Sequence, residues 1–304
     1  MDTGSMTPKS LPAFSDLQEL SFPVSALPAV NVASVPQRSP LRYPGGKTWL
    51  VPHIRKWLAG SGAQTLIEPF AGGGIVSLTA VMEDLVERAL MIEIDQDVAA
   101  FWKAALNHKA TLADMVLEFA LTRDTVDKLV SESPQNLAEY GFRTLVLNRT
   151  RNSGILAPGA SLIRHGENGK GIASRWYPET LARRLRNIAS VSNRITFHEE
   201  DGMKLLEPML QKWGNQAAVF VDPPYTAGGK RAGVRLYSHN LIDHSHLFNI
   251  LKRTGANFLM TYDNAPEIVG LIQRYDFHAV TVMMKNSHHN KMKELVITRE
   301  PLFA

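Results

Sequence analysis

Seven short apolar runs that alternate with helical patterns constrain the fold of this chain most. They lie at residues 65–67, 89–94, 195–198, 217–221, 257–261, 277–284 and 294–298. Strands that are apolar throughout are typical of a sheet covered by helices on both faces. The pattern predicts an α/β fold with a doubly wound, mostly parallel seven-stranded sheet, whose ligands bind at the carboxyl ends of the strands. The last two runs are too close for a crossover helix and should pair antiparallel.

The interval between the second and third runs is about 100 residues, whereas the other intervals are far shorter. The excess predicts an inserted, mainly helical subdomain at 103–194, between two parts of the sheet domain at 39–102 and 195–304. Residues 142–194 hold ten Arg and Lys residues against two Glu. Because the planar fork of Arg suits phosphate, the surplus indicates a polyanionic partner. A solvated helical face is the alternative.

The first 38 residues are rich in Pro, Ser and Ala without a strand or helix period, which predicts a mobile arm at 1–38. They lack the pattern of a secretory signal. The chain of 304 residues contains no cysteine. A disulfide framework, thiolate metal sites and cysteine nucleophiles are therefore excluded. No apolar run approaches the roughly 20 residues of a membrane span, so we expect no membrane partner.

A glycine-rich turn follows the first run, at residues 68–74, and a helical pattern begins directly after it. Glycines let backbone N–H groups and a helix N-terminus approach a ligand closely. Glu93 ends the second run, where an acidic side chain can accept hydrogen bonds from ribose hydroxyls. The two features together indicate a nucleoside cofactor. The alternative is a tight strand-to-helix turn with an unrelated exposed acid.

The fourth run leads into Asp222, Pro223, Pro224 and Tyr225. The prolines fix φ and lack N–H groups, so the segment is rigid and its carbonyls remain acceptors. Asp222 and the Pro223 carbonyl can accept hydrogen bonds from an amine on a heteroaromatic ring, and Tyr225 can stack on that ring. A proline-stiffened turn in which Asp222 caps a helix is the alternative.

Four motifs, at 41–47, 68–74, 222–225 and 293–297, together resemble the Dam-type class of DNA adenine N6-methyltransferases. The resemblance spans about residues 39–304, and it implies that 39–102 and 195–304 form the methyltransferase catalytic domain and that the insertion at 103–194 recognises the DNA target. It implies a Rossmann-like methyltransferase fold and S-adenosylmethionine as the methyl donor. It also implies double-stranded DNA as partner, with the exocyclic N6 of a flipped-out adenine as the site-specific acceptor.

Residue roles follow from this resemblance by motif position. It implies a catalytic role for Asp222, Pro223, Pro224 and Tyr225. It implies cofactor binding by Tyr43, Lys47, Glu68, Phe70, Gly72, Gly74, Glu93, Asp201 and Asp222. Tyr43 and Glu93 stand where relatives often have Trp and Asp, and both replacements keep the chemistry.

Basic residues in two segments are predicted to bind DNA. Arg149, Arg151 and Arg175 lie in the insertion, and Lys230, Arg231 and Arg235 follow the proline motif on a Gly-rich stretch. A flexible polar loop is the alternative for the second segment. The histidine spacings do not place two imidazoles on one helical face, so we predict no metal site.

Two other functions stay open at this point. One is methylation of another planar amine or amide, such as cytosine N4, adenine in RNA or a glutamine side chain. The other is a catalytically silent relative that binds DNA. The expected location is the cytoplasm of a bacterium or of a phage-infected cell, in association with the nucleoid. The sequence also leaves open the DNA target sequence and a role in restriction-modification. It does not determine the oligomeric state, for which a monomer is one alternative.

Overall fold

The computed structural model describes residues 30–43, 46–107, 111–157, 159–224, 242–285 and 291–302. One sheet holds the strands β1 (Thr65–Glu68), β2 (Arg88–Glu93), β3 (Ile195–Glu199), β4 (Ala217–Val221), β5 (Asn257–Asp263), β6 (His278–Lys285) and β7 (Lys291–Thr298). Their order is β3-β2-β1-β4-β5-β7-β6. The first five are parallel, and β7 runs antiparallel to both β5 and β6. The predicted doubly wound sheet and its antiparallel last pair are confirmed.

Helices cover both faces of this sheet. They are α1 (Val51–Ser61), α2 (Ile75–Met82), α3 (Gln96–Asn107), α4 (Thr111–Glu118), α5 (Arg123–Ser131), α6 (Leu137–Thr150), α7 (Pro178–Ser190), α8 (Gly202–Trp213), α9 (His244–Thr254) and α10 (Pro266–Tyr275). Neighbouring residues of β1 point to opposite faces. Leu66 joins a hydrophobic cluster with residues of α1 to α7, and Ile67 joins a second cluster with residues of α8 to α10. Burial on both faces explains why the strands are apolar throughout.

The insertion is helical and shares its core with the catalytic domain. Leu145 on α6 and Leu181 on α7 belong to the same hydrophobic cluster as Phe101 and Trp102 on α3. The domain boundaries at 102 and 194 stay predictions, because the apolar core is continuous across them. No helix in the described part of the chain is long and apolar enough to cross a membrane.

The predicted N-terminal arm is described only in its last part, since residues 1–29 lie outside the described residues. A 3₁₀ turn spans Val32–Ser34. Arg38 then forms an ion pair with Glu83, with 2.6 Å between Nη2 and Oε1. The segment that leads into the first motif is thus attached to the C-terminal end of α2.

Gly141 sets how closely α6 can approach α3. A Cβ at this position would lie 2.5 Å from the Cβ of Ala104 and 3.0 Å from the carbonyl oxygen of Ala100. Any larger residue must push the two helices apart, although Gly is a poor helix former. The glycine is therefore required by helix packing.

We predict that Gly141→Ala lowers the free energy of unfolding by roughly 1–3 kcal/mol, since overpacking outweighs the better helix propensity of Ala. Gly270→Ala is the matched control. Gly270 lies inside α10 and a Cβ there meets no atom within 4 Å, so it should stabilise by about 0.5–1 kcal/mol. Thermal unfolding of both variants measures the contrast, and a stabilised Gly141→Ala would contradict this account of the packing.

Candidate functional site

A cavity of about 950 Å³ lies at the carboxyl edge of the sheet. It is lined by residues at the ends of β1, β2 and β4, by the segment before α1 and by residues of α7. Its position matches the point where the strand order reverses, between β1 and β4, which is where ligands bind in open α/β sheets. The volume falls within the roughly 300–1,000 Å³ of small-molecule sites.

The glycine turn passes between two aromatic rings. Gly72 and Gly74 have φ of 46° and 62°, a region that favours glycine. Trp102 donates from Nε1 to the carbonyl oxygen of Gly72 at 2.8 Å. A Cβ on Gly74 would lie 2.6 Å from the Trp102 ring, and a Cβ on Gly72 would lie 2.7 Å from Tyr43 Cε1. Side chains at these positions would therefore push the turn out of place.

Two buried carboxyl groups hold the turn from the sheet side. Glu93 accepts hydrogen bonds from the N–H groups of Gly72 at 2.9 Å, and of Ile94 and Asp95 at 3.0 Å. Glu68 accepts hydrogen bonds from the N–H and the hydroxyl of Ser77 at the start of α2. Burial raises the pKa of Glu68 to about 8 and the pKa of Glu93 to about 7. Both groups line the cavity and organise its backbone.

Asp222 is fixed at the end of β4 by two donors on the same oxygen. Lys47 Nζ lies 2.9 Å from Oδ1, and the hydroxyl of Thr261 on β5 donates to Oδ1 at 2.8 Å. Lys47 Nζ also lies 3.1 Å from Oε1 of Glu294 on β7. Burial alone lowers the pKa of Lys47, but the attraction of Asp222 and then of Glu294 outweighs burial and raises it. The lysine is thus a permanent cation between two carboxylates.

The structure gathers all predicted cofactor-binding residues around this one cavity. They are Tyr43, Lys47, Glu68, Phe70, Gly72, Gly74, Glu93, Asp201 and Asp222. Asp201 also caps α8, because its Oδ1 accepts from the N–H of Met203 at 2.9 Å. Pro224 lines the cavity and Pro223 is buried beside it. Tyr225, Lys230, Arg231 and Arg235 lie outside the described residues.

Arginines form a basic part of the cavity wall. Arg42, Arg149 and Arg184 line it. Arg149 is only 5% exposed, and its Nε has no hydrogen-bond partner in the part of the chain that the structure describes. Burial lowers the pKa of Arg149 to about 9, with Arg184, Arg42 and Arg175 contributing. Such a concentration of positive charge favours an anionic ligand.

The other two predicted arginines of the insertion lie elsewhere. Arg151 donates from Nη1 to the carbonyl oxygen of Leu156 at 2.9 Å. Within the described ranges, neither Arg151 nor Arg175 lines the cavity. The insertion therefore presents Arg149 to the cavity, while a role for the other two in DNA binding stays a prediction.

Several residues of the site were missed by sequence reasoning. Asn148 on α6 accepts from the N–H of Arg42 at 2.7 Å and donates to the carbonyl oxygens of Arg42 at 2.9 Å and Gly154 at 2.8 Å. Thr261 was seen only as the end of an apolar run. Glu294 and Arg42 stood inside motifs without an assigned role. Each of these residues is a polar residue next to apolar ones in the sequence. That pattern does not identify the residue with which it forms a hydrogen bond or ion pair.

Metal ligation finds no support in the described ranges, which contain no group of three or more His, Cys, Asp or Glu suited to an ion. His244, which belongs to a histidine pair noted in the sequence, has its Nδ1 2.8 Å from the hydroxyl of Tyr262. His246 lies in the same helix, where Asp243 caps the N-terminus by accepting from the N–H of His246 at 2.8 Å. The contacts of His244 and His246 thus lie within the fold, with Tyr262 and with the helix cap Asp243.

Comparison with known families now adds to this geometry. Residues 43–148 match the D12 class N6 adenine-specific DNA methyltransferase family. The match confirms the resemblance predicted from the motifs and supports a methyltransferase. It covers about a third of the chain and includes Tyr43, Lys47, the glycine turn and Glu93, whereas Asp222 lies outside it. No curated protein matches the chain in sequence.

Two solved structures of the rRNA methyltransferase aviRa from Streptomyces viridochromogenes align with the chain. One has a TM-score of 0.42 and 14% sequence identity, and the alignment covers 92% of this chain and 96% of that one. The other has a TM-score of 0.40 and 15% identity, with 84% and 86% covered.

We predict that Glu68→Gln flattens the pH dependence of stability. Between the ordinary value of 4.5 and the raised pKa of about 8, the unfolded chain ionises Glu68 while the folded chain keeps it protonated. The contribution of Glu68 to the free energy of unfolding is therefore fully present below pH 4.5 and is lost as the pH rises towards 8. Urea unfolding at pH 5 and pH 8 should show a smaller difference for Glu68→Gln than for the wild type. Exposed Glu132→Gln is the control and should keep the wild-type difference.

Proposed function

We propose that the chain transfers a methyl group from S-adenosylmethionine to the exocyclic N6 of adenine in double-stranded DNA, at a specific site and after base flipping. The observation that carries the proposal is the fixed carboxylate of Asp222, held at the cavity edge by Lys47 and Thr261. The family match over residues 43–148 supports the same chemistry. We place this activity with a bacterial or phage genome, in the cytoplasm.

The charge distribution of the cavity suits S-adenosylmethionine. Asp95 and Asp201 line the cavity together with Glu93, whose pKa of about 7 leaves it partly ionised at neutral pH, whereas Glu68 stays protonated there. The ionised carboxylates favour a ligand that carries an ammonium and a sulfonium. The glycine turn would hold the methionine part, Glu93 the ribose, and Asp201 the adenine of the cofactor. When bound, S-adenosylmethionine supplies an activated methyl group on sulfur.

The acceptor amine would lie against Asp222. An amine conjugated to a ring is a poor nucleophile because its lone pair is delocalised. Hydrogen bonds from its N–H groups to Asp222 and to the Pro223 carbonyl favour the pyramidal geometry from which nitrogen attacks the methyl carbon. The amine proton becomes acidic only as the new bond forms, so Asp222 orients the amine and need not be a strong base. Tyr225 would stack on the ring.

The position of Asp222 supports base flipping. Asp222 lies at the carboxyl edge of the sheet with a side chain only 23% exposed, so a base stacked within a duplex would not reach it. Arg42, Arg149 and Arg184 on the basic side would bind the phosphates that flank the flipped nucleotide. We keep Arg151, Arg175, Lys230, Arg231 and Arg235 as further proposed contacts to DNA.

We predict that Asp222→Ala abolishes methyl transfer to DNA and leaves cofactor binding weakened but measurable. The variant loses the acceptor that orients the amine, while the glycine turn and Glu93 remain. Transfer of labelled methyl groups to DNA and to RNA, with calorimetry for the cofactor, measures both properties. Asp127→Ala is the control, because Asp127 pairs with Arg123 on an exposed helix. Full activity of Asp222→Ala would refute the role of Asp222. Methyl transfer by the wild-type protein to RNA and not to DNA would identify RNA as the substrate.

We predict that Arg184→Gln lowers the salt dependence of DNA binding. If Arg184 neutralises one phosphate, the slope of log affinity against log salt should decrease by about 0.9. Arg186→Gln is the control on the same helix, since Arg186 is exposed and lies 3.6 Å from Asp114. Binding titrations at several salt concentrations measure the slopes. Equal slopes for Arg184→Gln and the wild type would place the phosphate contact elsewhere.

A further inference from the structure

Glu294 takes no part in the reaction proposed above, although its side chain contacts Lys47 beside Asp222. It lies near the start of β7 and pairs in register with Asp263 at the end of β5. Because β7 runs antiparallel to β5, its first residues lie at the same edge of the sheet as the carboxyl end of β4. The side chain is buried and contacts the Lys47 ammonium at 3.1 Å.

Lys47 and the acceptor amine need the same carboxylate. Lys47 Nζ lies 2.9 Å from Asp222 Oδ1, and the proposed function requires an amine N–H to donate to Asp222 as well. A hydrogen bond from the acceptor amine to Asp222 weakens the ion pair between Asp222 and the Lys47 ammonium. The Lys47 side chain is only 3% exposed, so water cannot replace the lost interaction. A buried ammonium without an anion is strongly unfavourable.

We propose that Glu294 is a positioning residue for methyl transfer. It keeps the Lys47 ammonium compensated while the acceptor amine engages Asp222. Without the charge of Glu294, Lys47 depends more on Asp222 and competes with the incoming base. This inference rests on the proposed function, because it needs an amine donor at Asp222.

The test begins with Glu294→Gln, which keeps the shape of the side chain and removes its charge. We expect kcat/KM for DNA to fall about tenfold or more, because the ammonium now holds Asp222 more tightly. Cofactor affinity should fall by a clearly smaller factor than kcat/KM for DNA, because the glycine turn and Glu93 are unchanged, even though Lys47 is also a predicted cofactor contact. Glu132→Gln is the matched control, because it removes the charge from an exposed Lys–Glu pair.

The decisive step is a double-mutant cycle with Lys47→Gln. If Glu294 acts only through Lys47, then Glu294→Gln should cost less than twofold when Lys47 is already Gln. A merely structural role would cost the same factor in both backgrounds. Single-turnover transfer of tritiated methyl groups can follow the slow variants, and circular dichroism with cofactor calorimetry checks that each one is folded.

The outcomes separate this inference from the function on which it rests. Equal kcat/KM for Glu294→Gln and the wild type would overturn the inference alone. Equal losses in the two backgrounds, or a loss of cofactor affinity as large as the loss in kcat/KM, would overturn it in favour of a structural role. A wild-type protein that transfers no methyl group to DNA or RNA would refute the proposed function, and this inference with it.

Discussion

One buried ammonium joins three distant parts of the chain. Lys47 belongs to the segment before α1, Asp222 ends β4, and Glu294 lies near the start of β7. The Lys47 ammonium and the Glu294 carboxylate cannot be buried cheaply without a partner of opposite charge, so the three segments stabilise one another. The position of Asp222 at the cavity therefore depends on the segment before α1 and on the antiparallel β7 as well as on β4. A carboxylate on a loop alone would lack this precision.

The cavity is polarised by the architecture around it. The acidic groups come from the carboxyl ends of parallel strands, which meet at one edge because the sheet is doubly wound. The arginines come from the inserted helices and from the segment before α1. Under the proposed function, a cationic donor would bind next to the sheet and a polyanion next to the insertion. Methyl transfer requires such a meeting of two substrates.

Much of this arrangement could be predicted from the sequence, because the strands are continuous apolar runs and parallel strands end at a common edge. The glycine turn, Glu93 and Asp222 were predicted to share a site on that basis. Arg149 was predicted to bind DNA from the charge of its segment alone, and its side chain is buried in the cavity wall. Sequence shows the charge of a helix but not the direction in which each side chain points. The partners of Asn148 and Thr261 lie 106 and 39 residues away, and no local pattern encodes such distances.

The hydrogen bonds of Asn148 also bear on how relatives of this chain can be recombined. The Asn148 side-chain amide connects α6 with the backbone of Arg42. The next residue, Tyr43, lies over the glycine turn. An added Cβ on Gly154 would lie 2.2 Å from the Arg42 carbonyl oxygen, so the two segments also touch directly. A chimera that exchanges the inserted helices for those of another enzyme would thus have to carry residues 41–43 with them. The inserted helices and residues 41–43 therefore form one structural unit.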